Sequence, residues 1–324
     1  MTTSSFRLRI VKRFALLSTL ILIASLLAAL STQHWFCELF SHFTPHYFVF
    51  AMICVIALAL LRAWRWATLA CALALWQGYP LARALMQVDA PDPAQTNSKR
   101  LTVFHFNIGM DHEQPRRIAA YLQRHAAEID VIALFEASQN LDTLLAELKD
   151  IFPYQIVHLE NSPFGIALAS KHPIDFGAVS FKPARLYPHI EATLKLPGRA
   201  TPLALYALHA PPPVSGNMAE ARNQKFDHVA ALAKTQTQAT SVVVGDFNLT
   251  PWSPYFAKFI ADSGLRDART PRRFDHTWPV TFNNANIGLA IDHSFAHPSL
   301  RLIKRTIGPD LGSDHLPITV TFGY

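Results

Sequence analysis

Cysteine is nearly missing from this chain of 324 residues, and its three copies, Cys37, Cys54 and Cys71, all fall in the first hundred positions. The rest of the chain has none, which excludes a disulfide framework or a thiolate metal site there. Charge is also scarce. Only 16% of residues are Asp, Glu, Lys or Arg and half are apolar, a balance that calls for a membrane segment. No repeat or low-complexity tract is present.

The formal net charge of +6 is unevenly placed: residues 1–99 carry 8 Lys/Arg and 3 Asp/Glu, residues 100–324 carry 21 and 20. The pI of about 9.3 is therefore no sign of a nucleic-acid surface, because the larger part of the chain is nearly neutral. The basic excess flanks apolar stretches. Phe14–Gln33 has no charge and follows Arg7, Arg9, Lys12 and Arg13; at about 1.5 Å per residue it spans a hydrocarbon core. Leu39–Leu61 is a second uncharged stretch. Trp66–Ala82 is a third, bounded by Arg65 and Arg83. Pro45 and Pro80 leave the ends of these two open.

Residues 1–85 thus read as an anchor of about three transmembrane helices. The Lys/Arg of the tail and of the 62–65 loop place both in the cytoplasm and the rest of the chain outside it. The alternative for the first stretch is a signal peptide cleaved near Ala28 and Ala29, which would leave that address unchanged. A transporter is excluded by the lack of acidic groups inside the three stretches. Residues 86–100 (MQVDAPDPAQTNSKR) read as a polar linker.

From Leu101 onward the pattern is globular. Leu101–Ile108, Asp130–Glu136, Gln155–Leu159, Gly165–Ser170, Ile190–Leu196, Leu203–His209, Leu289–Phe295 and Ile318–Phe322 read as strands. Pro115–Ala127, Leu141–Phe152 and Met218–Lys234 read as helices. Many strands with few helices predict an α/β sandwich, two packed sheets flanked by helices.

The run Ser241–Ser253, SVVVGDFNLTPWS, has a β-branched strand, a glycine turn, then Asp246 and Asn248 at the strand's C-terminal end. Other strands also end on polar groups: Asn107, Glu136 and His209. Asp292 interrupts GLAIDHSF, and Asp314 and His315 precede the last strand. Each has an ordinary explanation as a cap, turn or solvated end. Together they look like acid–base and metal-ligand types gathered at strand ends.

With FNI at 106–108, FE at 135–136, LHAPPP at 208–213, GDFN at 245–248, ID at 291–292 and SDHLPI at 313–318, the chain resembles the endonuclease/exonuclease/phosphatase superfamily over residues 101–324. GDFNLTPWSP further resembles a membrane-anchored bacterial subgroup. The resemblance implies a four-layered α/β sandwich and metal-dependent hydrolysis of a phosphate ester. It implies Mg²⁺, with Mn²⁺ as a substitute, held by Glu136 with Asn107 and Asp314. Asp246 would activate water, Asn248 and His209 would contact the phosphate, and His315 would act as acid–base group oriented by Asp292. The substrate would be a nucleic acid, a phospholipid headgroup or a small phosphoester; the lipid bilayer is the other expected partner, and no obligate protein partner is evident. A nuclease on DNA or RNA, or a non-catalytic module keeping the fold, are the alternatives.

Two departures argue against abasic-site repair: the second place after Asn107 is Gly109 rather than Asp, and Phe135 rather than Gln precedes Glu136. The remaining histidines, His189, His228 and His293 among them, show no ligand spacing and read as surface or core. Arg222, Arg272 and Arg273 read as solvated surface rather than phosphate contacts. Trp252 and Trp278 read as pocket walls or core.

Overall fold

The computed structural model describes residues 3–86, 99–110, 115–235, 240–269, 276–282 and 285–324. Nearly all of the expected linker, His112, Arg272 and Arg273 lie outside the described residues. Two compact units emerge, Met1–Gln87 with Thr250–Pro254, and Val88–Leu249 with Tyr255–Tyr324.

The first unit is helical: α1 (Thr3–Ala29), α2 (Trp35–Ser41), α3 (Thr44–Leu60) and α4 (Trp64–Met86). Pro45 opens α3 in its first turn rather than breaking it, because a first-turn N–H has no helical acceptor to lose. Leu16, Leu20, Ile23 and Leu26 of α1 and Val49, Phe50, Ile53 and Ile56 of α3 are exposed. Polar groups turn inward instead: Gln77 Nε2 donates to Ser25 Oγ at 2.5 Å. This inside-out distribution is the reverse of a water-soluble helix bundle. The short segment 250–254 joins this unit because Ser253 Oγ donates to buried Glu38 Oε1 at 2.7 Å and His42 Nδ1 lies 3.0 Å from Thr250 Oγ1.

Among the described residues one helix, over Ser5–Ala29, is long and apolar enough to cross a membrane; α2 and α3, bent by 55°, qualify together as a second. The third expected span is helical and long enough but is not apolar enough to count among the described residues. Its Trp, Tyr, Gln, Gly and Arg residues dilute the alanines and leucines.

The second unit runs β1 (Arg100–Asn107), α5 (Pro115–His125), β2 (Val131–Phe135), α6 (Asp142–Glu147), β3 (Tyr154–His158), β4 (Ile166–Ser170), β5 (Ile174–Ser180), β6 (His189–Leu194), β7 (Leu203–His209), α7 (Gly216–Thr235), β8 (Thr240–Asp246), α8 (Pro254–Ser263), β9 (Arg266–Asp267), β10 (Trp278–Phe282), β11 (Ala285–Leu289), β12 (Asp292–Ala296), β13 (Arg301–Ile307) and β14 (Ile318–Gly323). The strands form two six-stranded mixed sheets, β13-β14-β1-β2-β4-β3 and β5-β6-β7-β8-β12-β9, plus the hairpin β10-β11.

Alternation builds the layers. Leu101, Val103, Val131 and Ala133 of the first sheet meet Leu203, Leu205, Val242 and Val244 of the second in one buried cluster. The opposite faces carry Phe104 and Phe106 against Ile118 and Leu122 of α5, and Tyr206 and Val243 against Phe226 and Val229 of α7 and Phe259 of α8. Helix, sheet, sheet, helix is the expected four-layered sandwich.

Several expected elements change. The run Leu289–Phe295 is not one strand: β11 ends at Leu289 and β12 begins at Asp292. β11 pairs with β10, whereas β12 pairs with β8, so the chain must turn at Ala290–Ile291. The helix expected over Leu141–Phe152 shortens to α6, preceded by a single 3-10 turn.

The two sheets are alike at their centres, β1 parallel to β2 and β7 parallel to β8. The turn after β8 depends on Gly245, whose φ is +156° and whose missing Cβ would lie 1.8 Å from Leu208 O on β7. A methyl group there forces the central parallel pair apart. Gly245→Ala should destabilise the second unit by about 1–3 kcal/mol, read as a lowered thermal unfolding midpoint of the purified protein.

Candidate functional site

Period two also decides which polar groups face inward. Asn107 shares a strand face with Leu101 and Val103, His209 with Leu203 and Leu205, and Asp246 with Val242 and Val244. Each therefore continues the apolar seam between the sheets at the C-terminal ends of the central strands. Register completes the grouping: Asn107 lies opposite Phe135, next to Glu136, and Asp246 lies opposite both His209 and Asp292. All of these except Glu136 are buried, and its side chain is 20% exposed.

Asn107 is the hub. Its Nδ2 donates to Glu136 Oε1 at 2.9 Å and to Asp246 Oδ2 at 3.0 Å, while its Oδ1 accepts from Gly109 N at 3.1 Å. The amide nitrogen, not the oxygen, thus meets the carboxylates. Glu136 Oε2 accepts from Met110 N at 2.9 Å. Burial pushes the Glu136 carboxyl up, opposed by the bonds from Asn107 and Met110. Both Glu136 (φ 58°) and Asn248 (φ 49°) hold left-handed backbone, which costs a non-glycine residue roughly 1–3 kcal/mol.

Asp246 Oδ1 accepts from Asn248 N at 2.8 Å, and Asn248 Nδ2 is tied to Ala210 O at 2.9 Å. Burial first, then the charge of Asp292, pushes Asp246 up to about 6. His315 Nδ1 stands 2.9 Å from Asp292 Oδ2, and its Nε2 lies 3.7 Å from Asp246 Oδ2. Burial alone would strip the proton from His315, but Asp292 and Asp246 outweigh it and raise the imidazole to about 10. Asp292 is held below the usual carboxylate range: burial opposes its charge, and His315 overcomes burial. His209 Nε2 lies 3.6 Å from Asp246 Oδ2 and 3.9 Å from Glu136 Oε1, and burial keeps this ring below its ordinary pKa.

Asp314 lies at the rim of that network, its Oδ1 accepting from Ser313 Oγ at 3.4 Å. It is exposed, and Trp278 Nε1 donates to its Oδ2 at 3.0 Å. Asp246, Asp292 and His315 bring potential metal-ligand atoms within 4.8 Å of one another. An imidazolium has no lone pair for a cation, however, and Asp292 already holds it. Glu136 fits a hard cation better: each oxygen takes a single donor, and its partial exposure leaves room for retained waters.

Other side chains matter that were given no role in the sequence. Thr277 Oγ1 accepts from Asp292 N at 3.1 Å, and Ser313 Oγ donates to Asn107 O at 2.8 Å while accepting from His315 N at 3.0 Å. Phe164 lies 5.8 Å from the His209 ring and 4.7 Å from Tyr187. The partners of Thr277 and Phe164 lie far along the chain, so no local pattern marks them, whereas Ser313 opens the SDHLPI run and caps His315 two residues on. His293 is buried core; its Nε2 meets Leu249 O at 2.8 Å, bracing the loop after Asn248. Arg222 is not solvated surface. It is wholly buried, with its guanidinium over Phe226 and Tyr255.

Residues 104–315 match the profile of the Endonuclease/Exonuclease/phosphatase family. No curated protein matches the chain. Among solved structures, TDP2 of D. rerio complexed with a single-strand DNA product is 16% identical, covering 70% of this chain and all of the other at a TM-score of 0.54. Sphingomyelinase C from Streptomyces griseocarneus is 20% identical with the same coverage and a TM-score of 0.52. A mutant beta toxin from Staphylococcus aureus with bound magnesium ions is 18% identical, also with that coverage, at 0.53. At these identities the likeness is one of fold.

The Asp292–His315 pair sets a pH window. His315, raised to about 10, adds stability that is complete below the unfolded imidazole value and lost as pH rises through about 10. Asp292, lowered, adds stability present above its unfolded value of about 4 and lost below it. The melting-temperature gap between wild type and Asp292→Asn should be widest at intermediate pH and shrink toward both limits, measured by thermal melts across pH.

Proposed function

Since the chain belongs to the endonuclease/exonuclease/phosphatase family, we propose that it is a metal-dependent hydrolase of phosphate esters, anchored in the cytoplasmic membrane. The observation that carries this is the Asn107 amide joined to Glu136 and Asp246, beside an imidazolium fixed by Asp292. One cluster therefore offers a partly open carboxylate, a buried base and a cationic acid.

Glu136 would hold a divalent cation, Mg²⁺ or Mn²⁺, with Asp314, whose charge acts on Glu136, contributing through water and Asn107 orienting the carboxylate. Such a cation, when bound, supplies charge to a phosphoryl oxygen. The remaining steps belong to side chains. Asp246, at about 6, is largely ionised at neutral pH and takes a proton from the attacking water, which displaces the ester oxygen in line. A base poised near the working pH is the efficient one. Asn248 fixes Asp246 through its backbone N–H. His315, charged, faces the negative phosphoryl group, and its Nε2–H is the proton available to the leaving oxygen as the P–O bond breaks. His209 stays neutral and donates a hydrogen bond to a phosphoryl oxygen. Asp292 holds His315 in orientation and charge.

Extracting Mg²⁺ with a chelator should abolish turnover of phosphodiester and phosphomonoester substrates by the full chain in detergent. Glu136→Gln and Asp246→Asn should each lower kcat by about 10²–10⁴. A panel of DNA, RNA, phospholipids and sugar phosphates identifies the substrate class. Turnover that survives chelation, or that Asp246→Asn leaves intact, rejects the mechanism; cation binding without turnover on the whole panel favours a non-catalytic module.

We also propose that the second unit lies outside the cytoplasm. The four Lys/Arg of the N-terminal tail and the two of the 62–65 loop support the positive-inside arrangement, with α4 as the last crossing. A reporter active only outside the cytoplasm, fused after Tyr324, should be active; an inactive reporter means that α4 does not cross.

A further inference from the structure

A second cluster of ligand-type side chains lies on the other face of the second sheet. His189 and Glu191 alternate with Ile190 and Ala192, which point into the seam between the sheets. His189 is in register with Leu208, and Glu191 with Tyr206, both of which face α7. His228 comes from α7, its ring 5.5 Å from that of His189 at 81°. One ligand atom from each of His189, Glu191 and His228 lies within 4.8 Å of the others.

The cluster is incompletely paired. His189 is wholly buried, yet its Nε2 has no properly directed hydrogen bond, although Glu191 Oε1 is 3.2 Å away. His228 Nε2 is likewise buried without a partner. Buried imidazole nitrogens that lack a hydrogen bond cost free energy. Two of them facing one carboxylate form a donor set of nitrogen, nitrogen and oxygen. That set suits zinc rather than the hard cation of the catalytic constellation, which prefers oxygen alone.

We propose that His189, Glu191 and His228 bind a zinc ion that clamps α7 to the second sheet, with water as the fourth ligand. The clamp would fasten the helix that covers β7 and β8, the strands from which His209 and Asp246 emerge. The competing arrangement is a metal-free relay, in which Lys225 Nζ, 3.2 Å from His189 Nδ1, donates to that nitrogen and Nε2–H turns to Glu191. Zinc on Nε2 displaces that proton to Nδ1 while the Lys225 ammonium releases one to solvent, so that its amine accepts from Nδ1–H and zinc binding sets one proton free. The two states therefore differ in the tautomer of His189. The proposal does not depend on the catalytic reading, since none of its residues belongs to that site.

The test uses the full chain in detergent, stripped of metal and titrated with zinc chloride alone, with cobalt chloride as a spectroscopic substitute. Wild type and Glu136→Gln should both bind zinc at this site, gain thermal stability and show the visible absorption of tetrahedral cobalt. His228→Ala, at a half-buried helix position, should weaken zinc binding about tenfold or more and lose the stability gain. Glu191→Gln, which keeps size and fold, should behave in the same way. Zinc affinity unchanged in both variants, zinc lost only in Glu136→Gln, or no zinc bound by wild type overturns the proposal.

Discussion

The site depends on one amide. Asn107 Nδ2 reaches two carboxylates that burial would otherwise force apart or protonate, Glu136 from the first sheet and Asp246 from the second. A single side chain thereby joins the two sheets at the point where their apolar seam ends. Both carboxyls remain raised by burial, so the network stores a demand for positive charge. The charge already in place is that of His315, which Asp292 holds behind it. Removing a member of such a network leaves a buried charge uncompensated, which is why its parts act as a unit.

That arrangement needs a backbone willing to be strained. Glu136 and Asn248 sit in left-handed conformations one and two residues after the central strands β2 and β8. Each turns the chain sharply, so that a side chain expected to leave the sandwich is directed across its end. Gly245 allows β8 to approach β7 closely enough for His209 and Asp246 to be register partners. The strain is tolerable because both strands are locked into wholly buried sheet centres.

Much of this was legible in the sequence because strand alternation is local. The apolar runs ending in Asn107, Glu136, His209 and Asp246 marked both the strands and their polar ends, and Leu203–His209 is bounded as expected. Legibility failed where pairing is distant. GLAIDHSF reads as one strand, yet β11 and β12 have different neighbours and must separate. Arg222 reads as solvated because charge is usually exposed; two aromatic rings and the packing of α7 bury it. His189, Glu191 and His228 show no ligand spacing, since His228, 37 residues after Glu191 and on a helix, completes the group.

The sequence by itself determined the two-part division of apolar helices and neutral globular chain, the sandwich class, and the residue types at the strand ends. Those follow from composition and from periods of two and 3.6, which neighbouring residues impose. Only the tertiary structure decided what each polar end touches: that Asn107 turns its nitrogen to the carboxylates, that Asp314 bonds to Trp278 at the exposed rim of the network, and that Asp292 charges His315. These depend on register between strands and on burial, and both are properties of the packed sheets rather than of any stretch of chain.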